Sequence, residues 1–151
     1  MSDMHIINHF LFALLATFGW AVYFNVPKKD VAPCAVIGAI GWATYVALNK
    51  YTQNEILSNF TAALVVTFLS EASARIYKNP GILYIIPGII PLVPGLSIYN
   101  TMLGLIQSNY VIAVETATKV ILMSGSIVMG ILVASSIVRI SNQKKLAKTS
   151  R

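Results

Sequence analysis

Long uncharged apolar stretches alternate with short charged clusters along this chain. The uncharged runs cover residues 4–27, 31–49, 56–70, 79–114 and 120–138. A helix that crosses a bilayer needs about 20 mostly apolar residues. The pattern therefore predicts an all-α polytopic membrane protein with about five transmembrane helices, at approximately residues 6–26, 31–49, 56–74, 82–107 and 118–140.

The fourth run differs from the others because it contains PGIIPLVPG, from Pro87 to Gly95. Proline inside a helix removes a backbone donor and costs about 3 kcal/mol. In lipid this is tolerated only where the freed backbone groups find protein or water. The sequence predicts two half-helices, at 82–90 and 96–107, which together form one broken span. A re-entrant first half is the alternative.

The charge distribution predicts the orientation. The chain has 151 residues, of which 56% are hydrophobic and 11% charged. With five spans, nine Lys and Arg residues fall on one side and two, Lys50 and Lys119, on the other. The positive-inside rule then places the N-terminus outside and the C-terminus in the cytoplasm. We expect one integral membrane domain over residues 1–140 and a basic cytoplasmic tail over 141–151, with lipid and not nucleic acid as the partner of the basic residues.

The residue content argues against an enzyme. No nucleophile–base pair, phosphate-binding loop or cysteine cluster is visible, and Cys34 is the single cysteine. His5 and His9 could share a helix face, but two ligands do not complete a metal site. We therefore expect no catalytic residues, no metal and no cofactor.

The interrupted fourth span is the best candidate for a binding site, since broken helices at membrane depth hold solutes and ions in transporters. A helix that begins after Gly95 has free amide groups at Leu96 to Ile98, and its positive dipole end suits a carboxylate. A proline kink that only shapes the helix is the alternative. The candidate substrate-binding residues are Pro91, Pro94, Gly95, Leu96, Ser97, Ile98, Tyr99, Asn100 and Thr101.

Ionisable residues near the span ends suggest how transport is driven. Glu71 is an intramembrane carboxylate, which is a functional candidate by default, and with Arg75 it forms the candidate proton-coupling pair. The alternative is an i,i+4 ion pair between the two at the interface. Glu115 and Lys119 repeat this spacing, and there we expect only a surface pair.

Small residues recur every fourth position in two predicted spans. One ladder is Ala35, Ala39, Ala43 and Ala47, and the other is Ser126, Gly130 and Ala134. Small residues at this spacing let helix backbones approach closely. Packing inside one bundle is the favoured interpretation, and a subunit interface is the alternative.

Several of these motifs together resemble the threonine/serine exporter family. Glu71-x-x-Ala74-Arg75, Pro80, PGIIPLVPG and Tyr99 look like the C-terminal membrane half of its members. FNVP at 24–27, Cys34 and the GAIG sequence at 38–41 look like its small stand-alone subunit. The resemblance covers nearly the whole chain.

The resemblance implies a membrane subunit of a two-component secondary exporter in the bacterial plasma (inner) membrane. It implies proton-driven export of threonine and serine, or of a dicarboxylate such as succinate. The implied partner is a larger membrane subunit with a soluble cytoplasmic segment and about five spans. A homo-oligomeric pore and a non-transporting assembly protein remain alternatives.

Overall fold

The computed structural model describes residues 6–149, with side chains described up to Ser141. The elements of this part of the chain are helical: α1 Ile6–Tyr23, α2 Lys28–Thr52, α3 Glu55–Tyr77, α4 Ile82–Ile89, a 3₁₀ turn at Ile90–Leu92, α5 Gly95–Ile106 and α6 Tyr110–Thr149. The predicted outer N-terminus, with His5, and the last two residues of the predicted tail lie outside the described residues.

Four of these helices, α1, α2, α3 and α6, are long and apolar enough to cross a membrane. The segment from Ile82 to Leu92 and helix α5 are together long and apolar enough to cross a membrane. They are bent by 54° at their junction. The all-α prediction is confirmed, and the about five predicted spans correspond to four candidate spans, or to five if the bent pair is one span. Helix α6 begins at Tyr110 and contains the whole predicted span 118–140, since the exposed residues Glu115 and Lys119 lie on its surface without ending it.

Short turns make consecutive helices antiparallel neighbours. Gln53 and Lys78 adopt left-handed backbone conformations that end α2 and α3. The Asn54 side chain then accepts hydrogen bonds from the Ile56 and Leu57 amides, each at 3.1 Å, and so caps the start of α3. The turn at 53–54 is therefore tight, and α3 returns along α2.

The helices pack in the order α1, α2, α3, α6 and α5, and α4 lies in the groove between α2 and α3. Gly38 on α2 lies against Thr17 of α1, and Gly130 on α6 lies against the backbone of α3 at Phe60. Ala35, Ala39 and Ala134 are buried within this chain. Packing inside one bundle is thus confirmed for these ladder positions, and Ala39 is not available to a partner.

The bundle has two chemically different ends. The Lys28 end contains the starts of α2 and α4 and the end of α3, and it carries Lys28, Lys29, Arg75, Lys78 and Arg139. The Gln53 end contains the end of α2 and the starts of α3 and α6, and it carries Lys50 and Lys119. Among the described side chains, cations therefore concentrate at the Lys28 end.

Candidate functional site

The backbone between α4 and α5 leaves the α-helix at the proline-rich motif. Pro91 lies in the 3₁₀ turn, and Val93 after it is extended. Pro94, with ψ of 56°, immediately precedes the first residue of α5, Gly95. By length and composition the bent pair counts either as one broken span or as a re-entrant loop.

The amide groups at the start of α5 are only partly free. Gly95 N donates to the Val93 carbonyl at 2.7 Å, and Ile98 N donates to the Pro94 carbonyl at 3.1 Å. No side chain caps this helix. Within the described residues, the Leu96 and Ser97 amides have no hydrogen-bond acceptor. Of the three amides predicted to be free, at Leu96 to Ile98, two are therefore free in the structure. The Ile98 amide is bonded, because it closes the first turn of α5.

The candidate side chains around these amides differ in their surroundings. Gly95 faces open space, since a Cβ placed on it would have no atom within 4 Å. Leu96 and Tyr99 are exposed, whereas Ser97 and Asn100 are half-buried. Leu96, Ser97, Tyr99 and Asn100 thus surround an accessible helix start, next to a glycine that leaves room for a ligand.

Thr101 has a structural contact that the sequence did not indicate. Its hydroxyl lies 2.8 Å from the Ser97 carbonyl oxygen and 2.9 Å from Thr116 Oγ1 on α6. A hydroxyl has a single proton to donate. Thr101 therefore fixes α5 to α6, and its donor is not free for a solute.

A cleft of about 680 Å³ runs along α4 between α3 and α6. Its polar residues are Glu71, Ser135 and Arg139 at the Lys28 end, and its opposite end reaches Ile90 and Val93 at the break. The intervening wall is apolar and includes Ile82, Ile85, Ile86, Ile89 and Ile131. The cleft therefore joins the candidate proton-coupling carboxylate to the interrupted helix.

The structure gives Glu71 different neighbours from those that the sequence suggested. Arg75 is exposed, and the described side chains form no ion pair between Glu71 and Arg75 within 4 Å. Arg139, which sequence reasoning did not select, lines the cleft with Glu71. The spacing of Ile131, Ser135 and Arg139 on α6 was an available signal, since positions four apart share a helix face.

Close contact also joins Glu71 to the turn before α4. A Cβ placed on Gly81 would lie 2.9 Å from Glu71 Oε1. Gly81 precedes the first residue of α4, Ile82. A carboxylate at this point is favoured by the positive end of the helix dipole, so Glu71 lies beside the start of α4.

Another carboxylate, Asp30, lies on the other side of α4 and, unlike the half-buried Glu71, is fully buried. Asp30 is 0% exposed. The Tyr84 hydroxyl donates to its Oδ1 at 2.7 Å, and Asn79 Nδ2 donates to its Oδ2 at 2.8 Å. This burial could not be predicted from the sequence, because Lys28, Lys29 and Asp30 together look like an interfacial charge cluster.

The Gln53 end has a separate recess of about 530 Å³, lined by Glu55, Glu115 and Lys119 among others. Lys119 Nζ donates to Glu55 Oε1 at 2.8 Å. The expected surface pair of Lys119 with Glu115 is thus replaced by a pair with Glu55 across α3 and α6. None of the predicted site residues lines this recess.

Comparison with known proteins identifies relatives of the chain. A family model described as "Threonine/Serine exporter, ThrE" matches residues 9–137. An uncharacterized protein from Haemophilus influenzae is 32% identical over 66 residues, which make up 44% of this chain and 22% of that relative. The chain thus spans about a fifth of the length of the curated relative that it matches. No solved structure matches the chain.

Proposed function

Because the chain belongs to the threonine/serine exporter family, we propose that it is the membrane subunit of a two-component secondary exporter for small carboxylate-bearing metabolites. It is a multi-pass membrane protein, with four helices suited to crossing a bilayer and a bent fifth pair. Threonine and serine are the first candidate solutes, and a dicarboxylate such as succinate is the second. Membership of a transporter family favours transport over catalysis.

The location that we propose is the bacterial plasma membrane, with the Lys28 end in the cytoplasm. Five described cations lie at that end and two, Lys50 and Lys119, at the Gln53 end. Lys and Arg accumulate on the cytoplasmic side of membrane proteins. Helix α6 continues as far as Thr149, so the basic tail at 141–151 would emerge on the cytoplasmic side.

We propose that α4, the 3₁₀ turn and α5 form one broken span. Helix α4 begins at the Lys28 end, where α3 has just ended. Helix α6 begins at the opposite end, where Lys119 contacts Glu55. The segment between them must therefore connect the two ends, and a bend of 54° is compatible with continued crossing. These observations support a broken span over a re-entrant loop.

The solute site that we propose lies at the start of α5. The observation that carries this proposal is the pair of free amides, at Leu96 and Ser97, beside the open space at Gly95. A helix start with unpaired amides is a favourable position for a carboxylate. Half-buried Ser97 and Asn100 supply further hydrogen-bonding groups beside these amides.

Proton coupling is assigned to Glu71 in the same proposal. Its carboxylate lines the cleft that ends at the break, and it touches the turn that starts α4. Carboxylates in membrane segments commonly mark proton pathways. Arg139, which lines the cleft, replaces Arg75 as the cation that sets the charge around Glu71.

The partner that we propose is a larger membrane subunit with a soluble cytoplasmic segment and about five spans. Helix α5 packs substantially on α6 alone. Its remaining surface carries Leu96, Tyr99, Met102 and Ile106, all of which are exposed. A partner that covered this surface would place its own helices beside the free amides and enclose the solute.

The test is export by the two subunits reconstituted together in vesicles, with threonine, serine and succinate supplied in turn. We expect Gly95→Val to abolish export while the protein still inserts, because the side chain fills the space over the amides. Gly125→Val is the matched control, since a Cβ on Gly125 also has no atom within 4 Å and the residue lies on α6, outside the candidate site residues. Normal export by Gly95→Val would show that the break is only a kink.

Reconstitution of this chain alone tests whether it needs a second subunit for transport. If the chain reconstituted without a partner exports a solute, the two-component proposal is wrong and a homo-oligomeric pore takes its place. If neither arrangement exports any of the three solutes, the assignment to transport fails.

A further inference from the structure

The carboxylate of Asp30 is enclosed by groups from three segments of the chain. It belongs to the first turn of α2, and both of its oxygens accept hydrogen bonds, from Tyr84 on α4 and from Asn79 in the turn between α3 and α4. Asn79 Nδ2 also lies 3.3 Å from the Tyr84 hydroxyl. Tyr84 is itself fully buried. The network therefore joins α2 directly to the buried face of α4.

The Asp30 carboxylate has no cation beside it within the described part of the chain. No Lys, Arg or His nitrogen there lies within 4 Å of it. The titratable groups nearby are neutral side chains: Tyr84, Cys34 on α2, and Tyr77 on α3, whose ring centroid is 6.3 Å from that of Tyr84. Lys28 and Lys29 precede Asp30 and are exposed.

The Asp30 carboxylate is thus held by two neutral donors in the first turn of α2, and by no cation among the described side chains. A carboxylate whose charge is held only by neutral donors can gain or lose a proton without breaking an ion pair, unlike one bound to Arg or Lys.

Protonation would change the contacts of α4. An ionised carboxylate accepts bonds on both oxygens, whereas a protonated one must donate from one of them. The protonated Asp30 oxygen would donate to the Tyr84 hydroxyl in place of accepting from it, and both contacts would become neutral hydrogen bonds, which are about half as strong as charge-assisted ones. Because Glu71 lies against Gly81 on the opposite side of the same turn, the start of α4 is held between two carboxylates.

We propose that Asp30 is a proton-binding site, and that proton uptake there loosens the contact of α4 with α2. The proton adds to one carboxylate oxygen and leaves from it again, and no other bond forms or breaks. Helix α4 leads through the 3₁₀ turn into the break, so its release moves the start of α5. The link to solute movement rests on the proposed function, whereas proton binding and the loosening of α4 do not.

Infrared spectroscopy of the purified chain in lipid discs tests the proton site. Protonated carboxyl groups have a carbonyl stretch separate from that of carboxylates, and the chain has five Asp and Glu residues. We expect the pH-dependent carbonyl signal of the five side chains to lose one component in Asp30→Asn, and we expect the control Glu55→Gln to retain that component. A full signal in Asp30→Asn would overturn the proposal.

Hydrogen exchange tests the loosening of α4. The Asn side chain of Asp30→Asn is a neutral mimic of the protonated acid, so we expect α4 amides to exchange about tenfold faster than in the wild type at high pH, as loss of one charge-assisted hydrogen bond predicts. Their exchange, corrected for its intrinsic pH dependence, should no longer respond to pH. Unchanged α4 exchange in a folded Asp30→Asn protein would contradict the proposal.

If Asp30→Asn does not fold, Tyr84→Phe tests whether Asp30 binds a proton. It keeps the carboxylate and removes one donor to its charged form, so the carbonyl signal should persist to higher pH than in the wild type. A titration identical to the wild type would overturn the proposal.

Export measurements separate this inference from the proposed function. If Asp30 titrates and α4 loosens but the two-subunit system exports nothing, the proposed function fails and the proton site stands. If export occurs and neither the carbonyl signal nor the pH dependence of export changes in Asp30→Asn, the proton site fails alone.

Discussion

The two halves of the interrupted segment, α4 and α5, are held in opposite ways. Helix α4 is wedged between α2 and α3, where a Cβ on Gly88 would lie 3.0 Å from Val66 and 3.2 Å from Ile37. Helix α5 packs substantially on α6 alone, and at its first residue, Gly95, a Cβ would meet no atom within 4 Å. The break thus joins a tightly packed helix to one with a largely open surface.

This contrast indicates how each half contributes to function. Elements with few buried contacts change position at low free-energy cost, whereas close-packed elements move only between discrete arrangements. In the proposed exporter, helix α5 would open and close over the solute, and α4 would respond as a unit to changes at Asp30 and Glu71. Substitutions on the two sides of the break should differ accordingly.

The largest effect is expected in the packed half. Gly88→Leu forces a branched side chain between Val66 and Ile37, and the overpacking should cost more than about 3 kcal/mol. We expect little folded protein after purification, measured as the monodisperse fraction and by thermal unfolding in detergent. Gly125→Leu, at an open glycine, is the control. Equal folded yield of the two variants would show that α4 is not tightly packed between α2 and α3 at Gly88.

Substitution at the break should leave the thermal stability of the protein nearly unchanged but reduce export. Pro94→Ala restores a backbone donor and relaxes the constraint that holds the chain out of the helix before Gly95. The helix should extend backward and satisfy the free amides, so export should fall severalfold while thermal stability stays near that of the wild type. Undiminished export by this variant would mean that the free amides do not hold the solute.

At Glu71, which touches the start of α4, we expect substitution to change the pH dependence of export and little else. Glu71→Gln removes the titratable group but keeps the shape of the side chain. Export should lose its dependence on pH, whereas solute binding, measured by calorimetry, should be largely retained. Glu115→Gln, at the Gln53 end, should keep the wild-type pH profile. An unaltered profile in Glu71→Gln would exclude Glu71 as the proton carrier.

The smallest effect is expected where α5 touches α6. Thr101→Val removes the hydrogen bond to Thr116 and should lower the free energy of unfolding by about 1 kcal/mol, measured by denaturant titration in detergent. Thr118→Val is the control, because the Thr118 hydroxyl bonds only the Val114 carbonyl of its own helix. Equal losses in the two variants would show that the Thr101–Thr116 contact adds no stability.

The helices and the backbone interruption could be predicted because both follow from local constraints. An apolar run must be long enough to cross the bilayer, and prolines remove donors wherever they occur. The extension of α6 from the predicted span back to Tyr110 could not be predicted, because the apolar run ends at charged residues, whereas the helix continues past Lys119 and Glu115.

The partners of the charged residues could not be predicted, because they depend on how the helices rotate and pack. Four-residue spacing suggested Arg75 for Glu71 and Glu115 for Lys119, but the structure places Arg139 in the Glu71 cleft and Glu55 beside Lys119. Asp30 was missed for the same reason, since a rotation of α2 decides whether its carboxylate faces water or Tyr84.

The length of α6 has a mechanical consequence. Its 40 residues form a rod of about 60 Å, roughly twice the thickness of the hydrocarbon core. It lies against α3 at Gly130 and pairs with α3 again at Lys119, and it carries α5 near Ala113, about 25 Å from Gly130 along the axis. Two attachments to the same neighbour fix the direction of a rod. Helix α6 is therefore a rigid support that is anchored to α3 along one part of its length and holds α5 on another part.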